Sequence, residues 1–597
     1  MSESSSYPTG GQFLLQDTAP ADVFTPEDFD ETQRMLAQAA RDFITQKVDP
    51  VIDQLEYKGD TSLGEGLLKA AGEMGLLMID VPQRFGGMGA NKATVMIVSE
   101  IVAWAGSFAV SHGAQSGIGT LPIVYFGTQE QKDKYLGPIS TGEMLSCYCL
   151  TEQDSGSDAL SAATTAVLNE EGTHYKLNGV KQFITNAAYS DLFIVFAKID
   201  GEHFSTFLVE KDFGGLTIGA EEKKMGIKGS STCQVILEDC MVPVENLLGE
   251  AGKGHLIAFN ILNVGRFKLG ASTLGGCKMV LENAVPYTSE RHQFGQPLNA
   301  FGLIRSKIAD VSARTFLTES MVYRTAGLLD DAIASLDKSQ DDYDLQSILK
   351  VEEFSIECSM IKVFASEALA LAADEGVQML GGYGYCAEYP LERFFRDEKI
   401  NRIFEGTNEI NRMIIPGMLL KKAMKGELPL LQAAQKVAGE LLEIPSFGDL
   451  GEPSFLEDEA KIITNMKKTV LATLGMAAQK YGKDLKDHQE VLADIADLIM
   501  EAYACESAWL RTLKKAEADG EDAAAFMADM LTLSVHDSIE RVGTTARQVL
   551  ANTLEGDELR TMSAGLRRLV KHDAVSREKL HGAIAEVVIE AGKYPLG

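Results

Sequence analysis

The sequence is poor in the residues that mark secreted scaffolds and disordered chains. It has 16 prolines and 8 cysteines in 597 residues, with 45% hydrophobic and 24% charged residues. This composition excludes disordered, collagen-like and disulfide-rich classes. Cys147 and Cys149 form the one tight cysteine pair, which fits neither a disulfide framework nor zinc spacing. We therefore predict buried, reduced thiols and no metal site.

Long apolar runs and early basic residues are also missing. No run approaches the roughly 18 apolar residues that a membrane-spanning helix needs. Arg34 is the first basic residue, whereas a secretory signal needs a positive start and a transit peptide needs arginine. The sequence therefore predicts a cytoplasmic protein with no integral membrane segment.

Acidic charge is what the chain has in excess. Asp and Glu number 86 against 55 Lys and Arg, which gives a formal net charge of −31. Such a surface repels phosphate backbones and anionic lipid, so we predict no nucleic-acid partner. Acidic residues also outnumber basic ones after residue 430, and peripheral membrane contact through that region is not favoured.

Helical and β-type hydrophobic periods alternate along the chain. Met35, Ala39 and Phe43 show helical spacing, whereas the dipeptide Asp200-Gly201 between two β-rich runs indicates a hairpin. We predict a mostly α-helical fold with a central antiparallel β-barrel or sandwich domain. The predicted parts are a flexible arm over 1–25, an N-terminal helical domain over 26–146, a middle β-domain over 147–252, a C-terminal helical bundle over 253–425, a linker over 426–457 and an additional helical domain over 458–597.

Several short segments carry residues that packing alone does not select. Small hydroxyl residues and glycine over 148–158 let backbone N–H groups approach an anion or a ring edge. Phe183-Ile-Thr-Asn186 places an aromatic ring and a hydroxyl on one strand, and Arg291 in a glycine-flanked loop suits phosphate. The ordinary alternatives are a polar turn, sheet packing and a surface ion pair.

Glu405 is the candidate for acid–base chemistry. It stands between Phe404 and Gly406, and apolar surroundings would raise the pKa of its carboxyl and make it a base. The alternative is an ordinary cap or surface glutamate. The nearby pair Gly381-Gly382 is not a dinucleotide fingerprint, because no strand precedes it and the glycine spacing is wrong.

Seven ordered motifs over residues 27–420 resemble the acyl-CoA dehydrogenase family. The motifs are Cys149-Leu-Thr-Glu with Gly156-Ser-Asp158, Phe183-Ile-Thr-Asn186, Lys224–Ser231, Val242–Glu250, Arg291-x-Gln-Phe-Gly295, Gln378-x-x-Gly-Gly382 and Phe404-Glu-Gly-Thr407. The long helical region after residue 430 and Asn263-x-Gly-Arg266 resemble the very-long-chain subfamily and its bacterial relatives.

This resemblance implies an FAD-dependent dehydrogenase that converts a long-chain fatty acyl-CoA to a trans-2-enoyl-CoA in β-oxidation. Glu405 matches the catalytic base, which removes the pro-R α-proton while flavin N5 accepts hydride from Cβ. The implied partners are an electron-transferring flavoprotein and a second copy in a homodimer. Residues that match flavin contacts are Leu150, Thr151, Ser157, Phe183, Ile184, Thr185, Arg291, Phe294, Gln378, Gly381, Gly382, Thr407 and Glu409. Asn263 and Arg266 match substrate-side positions near the CoA moiety.

The resemblance leaves some alternatives open. Phe183 stands where many family members have Trp, and Arg305 stands where relatives usually have Gln, so Arg305 is given no role. The small residues of Gly106–Gly119 indicate either a deep channel for a long acyl chain or tight helix packing. An acyl-CoA oxidase that uses oxygen and a non-catalytic assembly protein are the alternative functions, although intact Glu405 and flavin motifs argue against the second.

Overall fold

Seven helices form the first part of the fold that the computed structural model describes, which covers residues 8–442 and 454–596. Asp30 starts the first helix with a capping box: its carboxylate accepts from the Gln33 N–H, and the Gln33 side chain accepts from the Asp30 N–H. The helices are α1 (Glu31–Phe43), α2 (Ile52–Glu56), α3 (Leu63–Glu73), α4 (Lys92–Val102), α5 (Ser107–Gly113), α6 (Leu121–Phe126) and α7 (Gln129–Thr141).

A sheet of eight strands follows. The strands are β1 (Ser146–Cys149), β2 (Thr165–Leu168), β3 (His174–Thr185), β4 (Leu192–Ile199), β5 (His203–Glu210), β6 (Leu216–Ile218), β7 (Thr232–Pro243) and β8 (Leu247–Leu248). Their order is β6-β7-β3-β2-β4-β5-β8, with β1 on β4. The predicted hairpin is confirmed, since β4 and β5 pair antiparallel around Asp200-Gly201. However, β1 and β2 each run parallel to β4, so the sheet is mixed and not purely antiparallel as predicted.

Long helices return after the sheet and form a bundle. They are α8 (Gly254–Glu290), α9 (Gly302–Ala334), α10 (Tyr343–Glu353), α11 (Ser355–Leu380), α12 (Leu391–Glu398) and α13 (Asn408–Lys425), with the short ribbon β9 (His292–Gln293) and β10 (Gln296–Pro297) between α8 and α9. Helices α8 and α11 lie very close together at Gly270 of α8. A Cβ at this position would lie 2.0 Å from Ile361 Cγ2 of α11, so the absence of a side chain permits the close approach.

Six further helices complete the fold that the sequence analysis predicted. They are α14 (Leu430–Leu442), α15 (Glu457–Tyr481), α16 (Gln489–Asp519), α17 (Glu521–Thr553), α18 (Gly556–Leu569) and α19 (Arg577–Ala591). Apolar side chains of α15, α16 and α17 belong to the same hydrophobic core as those of α8, α9 and α11. Among the described residues, none of these helices combines the length and apolar character needed to cross a membrane.

The predicted flexible arm and the predicted linker both contain ordered structure where they are described. In the predicted arm, Phe13 and Leu14 are buried, and the Gly11 N–H donates to Glu357 Oε1 at 2.7 Å. Gly11 has a φ of 81°, which favours glycine, and it forms a turn. Glycine in this segment therefore belongs to an ordered turn and does not indicate disorder. In the predicted linker, Leu430–Leu442 is helical because its apolar residues recur at helical spacing. Residues 443–453 of the predicted linker lie outside the described residues.

Candidate active site

Glu405 lies on a strained turn at the start of α13. Its φ is 59°, and Gly406 follows with a φ of 77°. A left-handed backbone at a residue other than glycine costs of order 1–3 kcal/mol and persists where neighbouring contacts hold it. Here the Thr407 hydroxyl accepts from the Ile410 N–H at 3.2 Å, and Asn411 Nδ2 donates to Gly406 O at 2.8 Å and Thr407 O at 3.0 Å. Side chains of α13 therefore contribute to holding the turn.

The Glu405 carboxyl is enclosed and has a free oxygen. Its Oε2 is buried and has no hydrogen-bond partner among the described residues. Burial raises the pKa of this carboxyl to about 7, and the positive charges of Arg266 and Lys362 limit the rise. A Cβ at Gly265 would lie 2.5 Å from Oε2, so a larger residue there would displace the carboxyl from this position. A carboxyl of this kind can accept a proton from a molecule that enters the site.

Arg266 supports the main chain of the same turn. Its Nε donates to Glu405 O at 3.1 Å, and its Nη1 donates to Asn263 Oδ1 at 2.9 Å. Of the two residues predicted on the substrate side, Arg266 thus lies against the candidate base and Asn263 lies against Arg266. Their contact with a substrate stays a prediction.

Lys362 is a site residue that none of the sequence motifs indicated. Its Nζ donates to Gly406 O at 2.8 Å and to Asn408 Oδ1 at 2.7 Å. Burial lowers the pKa of this ammonium to about 7, although the Glu405 carboxylate favours its charged form. The one feature of the sequence that could have indicated a functional lysine is its position between the apolar residues Ile361 and Val363, in the buried part of α11.

A cavity of about 210 Å³ opens beside Glu405. Five small residues from the predicted run line it: Gly106, Ala109, Gly113, Ala114 and Gly117. A Cβ at Gly113 would meet nothing within 4 Å, whereas one at Gly106 would lie 2.3 Å from Glu56 Oε1. Gly113 therefore borders open space and Gly106 permits close packing, and the use of that space by an acyl chain stays a prediction.

The predicted flavin contacts of the β-domain lie at the end of β3 and in the loop that follows β1. The Gln182 N–H donates to Thr151 O at 2.8 Å and joins this strand to the loop after β1. An irregularity in the β3–β7 pairing between Lys181 and Ile184 accompanies a φ of 60° at Phe183. The Phe183 side chain is 61% exposed, which suits stacking on a flat ring. Leu150 and Ile184 are buried, Ser157 is exposed, and Thr185 lines the cavity with Glu405.

A second group of predicted flavin contacts is exposed on the helical bundle and on the ribbon between α8 and α9. Phe294 lies between β9 and β10 with 95% of its surface exposed, and the Arg291 guanidinium lies 5.8 Å from the centroid of the Tyr383 ring. Gln378, Gly381 and Gly382 are exposed at the end of α11, and Glu409 is exposed on α13. On a single chain, an exposed ring and arginine of this kind are available to a neighbouring molecule.

Comparison with known proteins matches this arrangement to one family. Family models described as acyl-CoA dehydrogenase N-terminal domain, middle domain and C-terminal domain match residues 30–143, 147–240 and 252–420. A further model described as acyl-CoA dehydrogenase C-terminal domain matches 465–568.

Individual relatives extend the match to the whole chain. A probable acyl-CoA dehydrogenase of Bacillus subtilis (strain 168) is 48% identical over 591 residues, which is 98% of each protein. The mitochondrial very long-chain specific acyl-CoA dehydrogenase of Macaca fascicularis is 38% identical over 64% of this chain and 58% of its own length. The crystal structure of an acyl-CoA dehydrogenase complexed with FAD from Bacillus anthracis has a TM-score of 0.96 at 48% identity, with 98% of this chain and all of that chain covered. This chain belongs to the acyl-CoA dehydrogenase family.

Proposed function

We propose that this protein is an FAD-dependent dehydrogenase that desaturates the Cα–Cβ bond of a long-chain acyl-CoA, with Glu405 as the base. The observation that carries the proposal is the Glu405 carboxyl itself. Its Oε2 is buried without a partner among the described residues, its pKa is raised to about 7, and it borders a cavity lined by small residues. A thioester α-proton is weakly acidic, so a base of near-neutral pKa held beside it is the group the reaction requires.

The residues on the β-domain are suited to FAD. Phe183 presents an exposed ring beside the hydroxyl-bearing Thr185, and Thr151 lies against the same strand. These residues would hold the flavin ring, and the Arg291 guanidinium would offset phosphate charge on an acidic protein. When bound, FAD supplies the acceptor for the hydride that leaves Cβ.

The chain itself orients the base and keeps water away. Arg266 and Lys362 hold the carbonyls of Glu405 and Gly406, so the main chain that carries the base cannot shift without breaking both contacts. Gly265 leaves just enough space for the carboxyl beside α8. Glu405 would take the α-proton onto its free oxygen, in a site where exclusion of water strengthens electrostatic interactions.

Acyl chain length and partners are finer parts of the proposal. The open space at Gly113 supports a long acyl chain. The exposed Phe294 and Arg291 support a homodimer in which each chain completes its partner's flavin site. Electron-transferring flavoprotein is the proposed electron acceptor.

An anaerobic titration with palmitoyl-CoA tests this function. We expect the flavin absorbance of the purified protein to bleach stoichiometrically. Glu405→Gln should bind FAD and remain unbleached, whereas Glu427→Gln, a change at an exposed glutamate, should bleach like the wild type. A protein that does not bind FAD, a wild type that no acyl-CoA bleaches, or a reducible Glu405→Gln variant would each contradict the proposal. Rapid peroxide production in air, with no gain in turnover from electron-transferring flavoprotein, would assign an oxidase instead.

A further inference from the structure

A series of polar contacts connects the additional helical domain to the turn that carries Glu405. On α16, Asp497 Oδ1 accepts from Arg412 Nε at 2.8 Å. The other two guanidinium nitrogens of Arg412, on α13, donate to both oxygens of Glu367, at 2.7 and 3.0 Å. Arg412 is thus held on one side by α16 and on the other by α11.

The contacts continue from Glu367 into the turn. Asn408 Nδ2 donates to Glu367 Oε1 at 3.1 Å, and Asn408 Oδ1 accepts from Lys362 Nζ at 2.7 Å. Lys362 Nζ also donates to Gly406 O at 2.8 Å. Asn408 is the first residue of α13, three positions after Glu405, so a shift of Asn408 moves the turn directly.

We propose that Asp497 is a positioning residue for the reaction, which holds the Glu405 turn in place through Arg412, Glu367 and Asn408. This gives the additional helical domain a role in the chemistry as well as in stability. The inference rests on the proposed function, because it takes Glu405 to be the base.

The geometry favours an effect on rate over an effect on folding. The Asp497 side chain is 40% exposed, and it borders a cavity of about 800 Å³ between the bundle and the additional domain. Removing an exposed carboxylate beside a cavity leaves the packed core intact. Arg412, however, loses the partner of its Nε and keeps its contacts with Glu367, so the Arg412–Glu367 pair is no longer anchored to α16. A shift of that pair displaces Asn408, whose Nδ2 donates to Glu367.

The test measures flavin reduction by palmitoyl-CoA under anaerobic stopped-flow conditions. We expect Asp497→Ala to lower the limiting rate of reduction about tenfold, as a small misplacement of a reacting group does. Its FAD content and the dissociation constant for palmitoyl-CoA should stay close to those of the wild type. Asp497→Glu should restore most of the rate.

Glu586→Ala is the matched control. Glu586 on α19 lies 3.7 Å from Arg305 of the bundle, so it forms an interdomain pair of the same type away from the turn. The Glu586→Ala substitution should leave the limiting rate of flavin reduction unchanged. Asp497→Asn, which preserves the side-chain volume, should also slow reduction, and it serves as the test if Asp497→Ala loses FAD.

The outcomes separate this inference from the proposed function. If palmitoyl-CoA reduces the wild type but the Asp497 variants react as fast as Glu586→Ala, the positioning role is wrong and the proposed function stands. The same holds if Asp497→Ala lowers only the melting temperature. A wild type that palmitoyl-CoA cannot reduce, or a Glu405→Gln variant that it can reduce, overturns both.

Discussion

At the scale of single residues, the protonation state of Glu405 sets the pH dependence of the reaction. Burial raises its pKa to about 7, and only the ionised carboxylate can accept the α-proton. We therefore expect kcat/KM for palmitoyl-CoA to fall below pH 7 and to reach a plateau above it. Steady-state rates measured between pH 5 and pH 9 check this. An acid limb near 4.5, the ordinary value for glutamate, would contradict the effect of burial.

Lys362 is expected to tune the same titration. Its ammonium is one of two positive charges that limit the rise in the pKa of Glu405, and it also faces Arg266, Glu367 and Glu409. Lys362→Met removes a cation near the base, so the acid limb should move upward by roughly one pH unit. The matched control is Lys425→Met at an exposed lysine of α13, which should leave the profile in place. If the acid limb of the pH profile stayed in place or moved to lower pH in Lys362→Met, the ammonium would not act on Glu405 as described.

At the scale of elements, α5 is expected to set the acyl chain length. Gly113 has ordinary helical angles and borders open space in the cavity, so a leucine there fills the channel without straining the backbone. Gly113→Leu should lower kcat/KM for palmitoyl-CoA about tenfold or more and leave butyryl-CoA much less affected.

Gly66→Leu provides the control for that change. Gly66 lies in α3 and would also meet nothing within 4 Å, but it does not line the cavity. Its chain-length profile should match that of the wild type. Equal losses for palmitoyl-CoA and butyryl-CoA in Gly113→Leu would mean that the residue affects folding and not the acyl channel.

The elements also show what local sequence can predict. The β4–β5 hairpin was predictable because Asp200 and Gly201 both adopt a positive φ, which is a property of the dipeptide. The parallel pairing of β1 with β4 was not, since no turn dipeptide connects those strands. Likewise, the prolines and glycines of 444–453 predict a linker, but they do not show that the segment before them, Leu430–Leu442, is helical.

The candidate site also contains residues that local sequence could predict and contacts that it could not. Glu405 was predictable from its motif and its apolar neighbours. Its contact with Arg266 spans 139 residues, and the position of Lys362 depends on how α11 packs against α13. Such contacts arise from tertiary packing, and composition or spacing does not contain them. The Asp497–Arg412 contact, which joins two domains, is a further case.

At the scale of the whole molecule, one buried carboxylate connects several parts of the fold. Glu319 on α9 is fully buried and accepts from Lys278 Nζ at 2.5 Å, from Arg511 Nη1 at 2.6 Å and from the Tyr594 hydroxyl at 3.0 Å. Arg511 belongs to α16 and also binds Glu27 near the N-terminus, at 2.7 Å. The bundle, the additional domain and both ends of the described chain thus meet at this carboxylate.

Breaking this centre is expected to destabilise the entire helical part. Glu319→Gln keeps the side-chain volume but leaves the Lys278 and Arg511 charges buried without their shared partner, which costs about 3–5 kcal/mol for a buried pair. A thermal melt followed by circular dichroism should show a lower Tm. Asp557→Asn, which disrupts an exposed ion pair with Arg560, should leave Tm unchanged. Lys278 Nζ also donates to Glu100 Oε1 at 2.6 Å. If Glu319→Gln melted with the wild type, Glu100 and Glu27 would be sufficient to compensate the two cations, and apolar packing would hold the additional domain to the bundle.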